Sequence, residues 1–204
     1  MNTDTLIATA CALVARGKGL LAMDESTGTI GKRFDAHGIA QTEAMRRAWR
    51  ELLIDTPGLG HAISGAILHD ETIRQSTQAG KPFVGVLAEA GIVPGIKVDA
   101  GTSALALHDG ETVTEGLDGL GQRLTEYAAM GARFAKWRAV LRIDAGGLPS
   151  SACIAANADA LARYAALCQQ AGLVPIVEPE VLADGDHTLQ RCEAVTTEVL
   201  HQVF

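Results

Sequence analysis

The sequence predicts an α/β protein whose strands run parallel, and three observations carry that reading. Short apolar runs alternate with longer stretches of helical period. The runs are apolar on both faces, as in parallel sheets covered by helices, and lack the alternation of a half-exposed strand. Charged residues gather at the carboxyl ends of those runs. Repeated strand-then-helix units of this kind join through right-handed crossovers.

Taken in chain order, residues 4–16 read as a first helix and 19–23 as a first strand. Thr42 caps a helix running to about Leu53, with Met45, Trp49, Leu52 and Leu53 on its apolar face. The second and third strands are expected at 62–68 and 93–98. Leu117, Leu120, Leu124 and Tyr127 stripe the next helix, and 133–141 is the fourth strand. Ser150 caps a long helix carrying Ile154, Ala158, Leu161, Ala165 and Cys168 inward, and Gly172 stops it. The fifth strand covers 173–177. Asp186 opens the last helix, with Leu189, Cys192, Val195, Val199 and Val203 inward. No linker, short-period repeat or low-complexity segment interrupts the chain, so residues 1–204 read as a single domain or part of one.

Composition narrows the function classes. A chain of 204 residues, 48% hydrophobic, can bury a full core. Its net charge of -7 argues against a nucleic-acid surface, which needs clustered Lys and Arg. The apolar stretch 6–14 follows Asp4 instead of positive charge, so no secretory leader is read there. No run reaches the roughly 18 apolar residues of a membrane span. Cys11, Cys153, Cys168 and Cys192 have no paired spacing and read as reduced core thiols of a cytoplasmic protein.

The informative residues are charges in pairs. Asp24 ends the first strand; Lys97 and Asp99 end the third; Lys136 and Arg138 lie in the fourth; Glu178 and Glu180 follow the fifth. On a strand, residues i and i+2 share a face. One such pair would be read as a solvated edge, but three in otherwise apolar strands need partners, because unpaired buried charge costs several kcal/mol. Cations able to hold oxyanions stand with carboxylates able to move protons, which suits a phosphorylated substrate. Other chemistries fit less well. The stretch 28–33 lacks the spacing of a phosphate-binding loop, the six histidines show no metal-ligand spacing, and no nucleophile elbow is present.

These stretches resemble the class I fructose-bisphosphate aldolases. Leu21-Ala22-Met23-Asp24-Glu25-Ser26-Thr27-Gly28-Thr29-Ile30-Gly31-Lys32-Arg33 is similar to that family's first-strand motif. Gly95-Ile96-Lys97-Val98-Asp99 resembles the third strand, and Glu115-Gly116-Leu117-Asp118-Gly119-Leu120 the loop that follows. Phe134-Ala135-Lys136-Trp137-Arg138 resembles the fourth strand, and Val174-Pro175-Ile176-Val177-Glu178-Pro179-Glu180 the fifth. The resemblance implies a (β/α)8 TIM barrel, with about five of its eight units in this chain. It implies cleavage of fructose 1,6-bisphosphate to dihydroxyacetone phosphate and glyceraldehyde 3-phosphate through a lysine Schiff base, with no metal and no cofactor. Full-length members are expected to be homotetramers.

By motif position, the resemblance makes Asp24 the residue assisting carbon–carbon cleavage. Glu178 becomes the general acid/base, Lys136 the stabiliser of charge at the reacting carbon, and Glu180 a support for the lysines. Ser26, Thr29, Arg33, Lys97 and Arg138 become binders of hydroxyl or phosphate groups; Thr29 stands where many members carry Ser. The segment 68–72 departs from the family pattern and is given no role. The Schiff-base lysine is expected on a sixth strand, which 1–204 does not reach. The chain therefore reads as a fragment, inactive alone. Two other readings are a non-catalytic phosphosugar-binding or subunit-interaction module, and an enzyme using Lys136 for the Schiff base.

Overall fold

The computed structural model describes residues 3–204. In order, the elements are α1 (Thr3–Leu13), β1 (Gly19–Ala22), α2 (Thr27–Ala36), α3 (Glu43–Ile54), α4 (Leu59–Ala62), β2 (Ile63–Leu68), α5 (Asp70–Ile73) and α6 (Phe83–Glu89). There follow β3 (Val93–Lys97), β4 (Thr102–Ala104), β5 (Thr112–Thr114), α7 (Leu120–Met130), β6 (Phe134–Leu141), α8 (Ser151–Gln170), β7 (Val174–Val181) and α9 (Leu189–Val203). Five strands form one sheet in the order β1-β2-β3-β6-β7, and every neighbouring pair is parallel. The other two pair as an antiparallel hairpin inserted after β3. A parallel sheet growing one strand at a time, with helices between, is a partial (β/α) barrel. No helix among the described residues is long and apolar enough to cross a membrane.

Strand alternation divides the sheet into two faces. Along β6, Ala135, Trp137 and Ala139 face the helices and are fully buried. Trp137 stacks at a tilt on Tyr164 of α8, ring centroids 5.4 Å apart. The even-numbered residues face the concave side. At its floor Phe134 packs with Leu13 of α1 and Ile67 of β2, joined by Val93, Val174 and Ile176. The Phe134 ring lies directly over Gly95, where any Cβ would collide with it. A Cβ on Gly65 would likewise come 2.6 Å from Leu13. These two glycines make room for the aromatic plug that closes the floor.

Several boundaries differ from the sequence expectation, for identifiable reasons. Thr42 and Ser150 cap α3 and α8 as expected, each hydroxyl accepting from the backbone N–H three residues on. The last helix, however, is capped by Thr188, which accepts from Arg191 N at 3.2 Å. Asp186 lies outside it, and Leu189 at the first position is exposed. The first helix ends at Leu13, and Val14 is exposed. The fifth barrel strand runs on to Val181, four residues past the expected end at Val177. Val174 N and Leu182 N donate to β6, so even-numbered amides face the sheet; Pro175 and Pro179 direct their missing donors to the open edge.

Helix α3 is the clearest correction. Met45, Trp49 and Leu52 are exposed, and the face turned inward carries Arg50 and Ile54, with Leu53 partly buried. Carboxylates on the neighbouring segments decide this. Arg46 makes a two-pronged ion pair with Glu71, at 2.7 and 2.6 Å, and Arg50 reaches Glu25 at 2.5 Å. Cys11 is also exposed, so of the four cysteines only Cys153 and Cys168 are buried core thiols.

Candidate active site

A cleft of about 640 Å³ opens on the concave face at the carboxyl ends of the strands. The strand register explains which side chains meet there. Ala22 pairs with Ile67, Leu68 with Ile96, and Lys97 with Lys136. Continuing each ladder past its last pair sets Asp24, His69, Lys97 and Lys136 in one row across four strands, one layer above the Phe134 floor. All four line the cleft.

Lys136 is the hub. Its Nζ lies 3.3 Å from Asp24 Oδ2 and 3.0 Å from Glu178 Oε2, bridging β1, β6 and β7. Burial alone would push the ammonium pKa down. The two carboxylates outweigh that and hold it above the ordinary lysine value, so Lys136 is a cation at neutral pH. Two further layers lie outward. Lys97 pairs with Asp99, whose other oxygen accepts from Arg138 N at 3.3 Å and whose first oxygen also accepts from Gly101 N at 3.2 Å. Arg138 pairs with Glu180; that hydrogen bond raises the guanidinium and lowers the carboxyl. The hairpin β4–β5 braces this layer, since Thr114 Oγ1 donates to Arg138 O at 2.9 Å and Asn157 of α8 holds Thr114 N.

At the start of α2, the hydroxyls of Ser26 and Thr29 face the cleft and share a hydrogen bond of 3.0 Å, while Ser26 also caps the helix. Of the nine candidate residues, Asp24, Ser26, Thr29, Lys97, Lys136, Arg138 and Glu178 line one cleft. Glu180 stands behind Arg138 as its partner. Arg33 is not brought to the cleft wall; it is largely exposed and ion-paired to Glu25 at 2.5 Å.

Three residues at this site were missed in the sequence. Glu25 lines the cleft beside Asp24 and is held by both Arg33 and the buried Arg50, which also donates to Glu25 O at 3.0 Å. Burial raises the Glu25 carboxyl and the Arg50 hydrogen bond lowers it; the balance falls below the usual carboxylate range. Nothing local announced that pair, whose members are 25 residues apart. His69 did carry a signal: it follows Gly65 and Ile67 in the inward-facing series of β2.

The comparisons with known proteins agree with this geometry. The family described as "Fructose-bisphosphate aldolase class-I" matches residues 5–204. A "Probable fructose-bisphosphate aldolase class 1" of Xanthomonas campestris is 60% identical over 204 residues, covering 100% of this chain and 61% of that protein. "Fructose-bisphosphate aldolase 5, cytosolic" of Arabidopsis thaliana is 56% identical over 201 residues, covering 98% of this chain and 56% of that one. Among solved structures, fructose-bisphosphate aldolase from Plasmodium falciparum, in complex with TRAP and a small-molecule inhibitor, superposes with a TM-score of 0.96 at 52% identity. That match covers 98% of this chain and 58% of the other. The chain thus spans about 61% or less of the length of these relatives. With the match running through nearly every described residue, the chain belongs to the class I fructose-bisphosphate aldolase family.

Proposed function

We propose that residues 1–204 form one unit, the first five βα units of an eight-unit barrel, and supply the proton-transfer and phosphate-binding half of a fructose 1,6-bisphosphate aldolase site. The observation that carries this is Lys136 held between Asp24 and Glu178 at 3.3 and 3.0 Å. In this reading Glu178 is the acid/base that forms and dehydrates the carbinolamine, and Asp24 takes part in carbon–carbon cleavage. Lys136 stabilises charge at the reacting carbon, and Glu180 keeps Arg138 in place. Lys97, Arg138, Ser26 and Thr29 bind phosphate or hydroxyl oxygens, with Arg33 at the rim. The electron sink, a lysine iminium, comes from a sixth strand following α9, as the family resemblance implies. A protonated Lys136 is a poor candidate for that nucleophile, because an amine attacks only when neutral. The assembled protein is read as a cytoplasmic homotetramer; the cytosolic name of the Arabidopsis relative supports the location.

The test uses a polypeptide of these 204 residues, alone and fused to the remaining carboxyl-terminal part of the Xanthomonas relative. Alone, it should give no cleavage and no borohydride-trapped adduct with fructose 1,6-bisphosphate. Fused, it should cleave, and Glu178→Gln should lower kcat by about 10²- to 10⁴-fold. An adduct on Lys136, or full activity in the Glu178→Gln fusion, would sink the reading.

A further inference from the structure

The polar side chains of the cleft are almost all engaged with one another. Lys136 holds Asp24 and Glu178, Lys97 holds Asp99, Arg138 holds Glu180, Ser26 and Thr29 share a hydrogen bond, and Glu25 holds two arginines. Two are not: the exposed hydroxyl of Thr102 on the hairpin, and His69, which stands in the row of site charges. The His69 ring lines the same cleft, yet neither ring nitrogen makes a hydrogen bond to any of the described residues. A polar ring placed in a functional cleft with its donor and acceptor both unspent is available to a ligand.

Its position is fixed by backbone geometry. His69 is the first residue beyond β2, with φ -94 and ψ 160, so the extended alternation continues through it. Gly65, Ile67 and His69 therefore face the concave side, and the ladder sets His69 between Asp24 on β1 and Lys97 on β3. The short helix α5 begins immediately after it, and Arg46 holds that helix through Glu71. The charges acting on the ring are the cations Lys97 and Arg50 and the carboxylates Asp70 and Glu71. Burial, with Lys97 next in weight, depresses the imidazole pKa below its ordinary 6.5, so the ring stays neutral at cellular pH.

We infer that His69 is a specificity-determining residue of this cleft, a neutral imidazole that hydrogen-bonds a hydroxyl of the phosphorylated polyol chain while the cations hold its phosphate. The inference rests on the phosphosugar reading above and deepens it. Lys97 beside the ring and Lys136 further along the row offer only donors, and the neighbouring carboxylates only acceptors. Neutral imidazole presents one of each, as a hydroxyl does, so it can recognise the group that separates a sugar phosphate from phosphate alone. A site with such a partner favours a ligand carrying the hydroxyl, because without it the half-buried ring gains no hydrogen bond on binding.

The experiment measures two dissociation constants, for fructose 1,6-bisphosphate and for inorganic phosphate, by calorimetry on the 204-residue chain. The proteins are wild type, His69→Ala and His69→Gln, each checked for an unchanged far-UV spectrum. His69→Ala should weaken the sugar bisphosphate about fivefold to tenfold, the loss of one hydrogen bond, and leave inorganic phosphate within about twofold. Glutamine, neutral with an amide NH₂ to donate and a carbonyl oxygen to accept, should restore most of the loss. Equal affinities of wild type and His69→Ala for the sugar bisphosphate overturn the inference alone. Equal weakening of both ligands without rescue by glutamine does the same, by making the role structural. Wild type that binds neither ligand overturns the phosphosugar reading with it. Should His69→Ala unfold, the pair of wild type and His69→Gln is read by imidazole NMR. There a ligand-induced shift of the His69 ring with the sugar bisphosphate but not with phosphate is expected, and equal response to both overturns the proposal.

Discussion

The floor and the mouth of the concave face are built from the same strands on the same side of the sheet, one or two residues apart, and they are held by opposite means. At the floor, Phe134 presses on two glycines and on Leu13, with no polar side chain in the cluster. Two residues further along β6, Lys136 sits among carboxylates from two other strands, and two more residues on, Arg138 pairs with Glu180. The floor is stabilised by close packing, which tolerates no added atom. The mouth is stabilised by mutual neutralisation, which tolerates no lost partner. A parallel sheet can thus place a closed core and a charged site on one face, because side chains two residues apart along a strand point the same way and lie in successive layers.

That contrast can be broken in order of expected effect. At the mouth, Arg50 is 2% exposed and is the buried partner of Glu25. Replacing it, Arg50→Ala, should destabilise the chain by about 3 kcal/mol, because Glu25 and its backbone carbonyl lose their buried donor and the carboxylate keeps only the exposed Arg33. Urea unfolding measures it, and a cost under about 1 kcal/mol would mean that the pair is solvated in solution. At the floor, Gly95→Ala drives a methyl into the Phe134 ring and should cost about 1–3 kcal/mol by overpacking. The double variant Gly95→Ala with Phe134→Leu should recover part of that loss, whereas full additivity would place the strain elsewhere.

The smallest effect is on pH dependence. Glu25 and Glu180 both titrate below their ordinary 4.5 in the folded chain. A depressed folded pKa contributes stability above the unfolded value and loses it as pH falls through the folded one. Urea midpoints should therefore decline from about pH 4.5 downward, and Glu25→Gln should flatten part of that decline. The penalty of Gly95→Ala, which involves no titrating group, should be the same at both ends of the range. A penalty that grew in acid would mean that floor and mouth are coupled.

The exposed stripe of α3 shows where pattern reasoning misleads. Met45, Trp49 and Leu52 recur at helical spacing and read as a core face, while the buried face carries arginines. Periodicity detects an apolar stripe but cannot see that Glu25 and Glu71 wait on the other side. The same limit applied to β7, where Pro175 and Pro179 leave the ladder to β6 intact because the donating amides are the even-numbered ones.

The sequence by itself determined the alternation of strands and helices, the places of the five barrel strands along the chain, and that Lys97 with Asp99, Lys136 with Arg138 and Glu178 with Glu180 share a face. All of these follow from local rules: apolar runs, caps, and the two-residue period of a strand. Only the tertiary structure decided which charges meet. Register brought Lys136 to Asp24, 112 residues away, and the packing of α3 buried Arg50 against Glu25. It also removed Arg33 from the cleft wall and put His69 on it. The physical reason is range. A side chain's direction is set by its own backbone, whereas its partner is set by how distant segments pack, and no spacing within one segment records that.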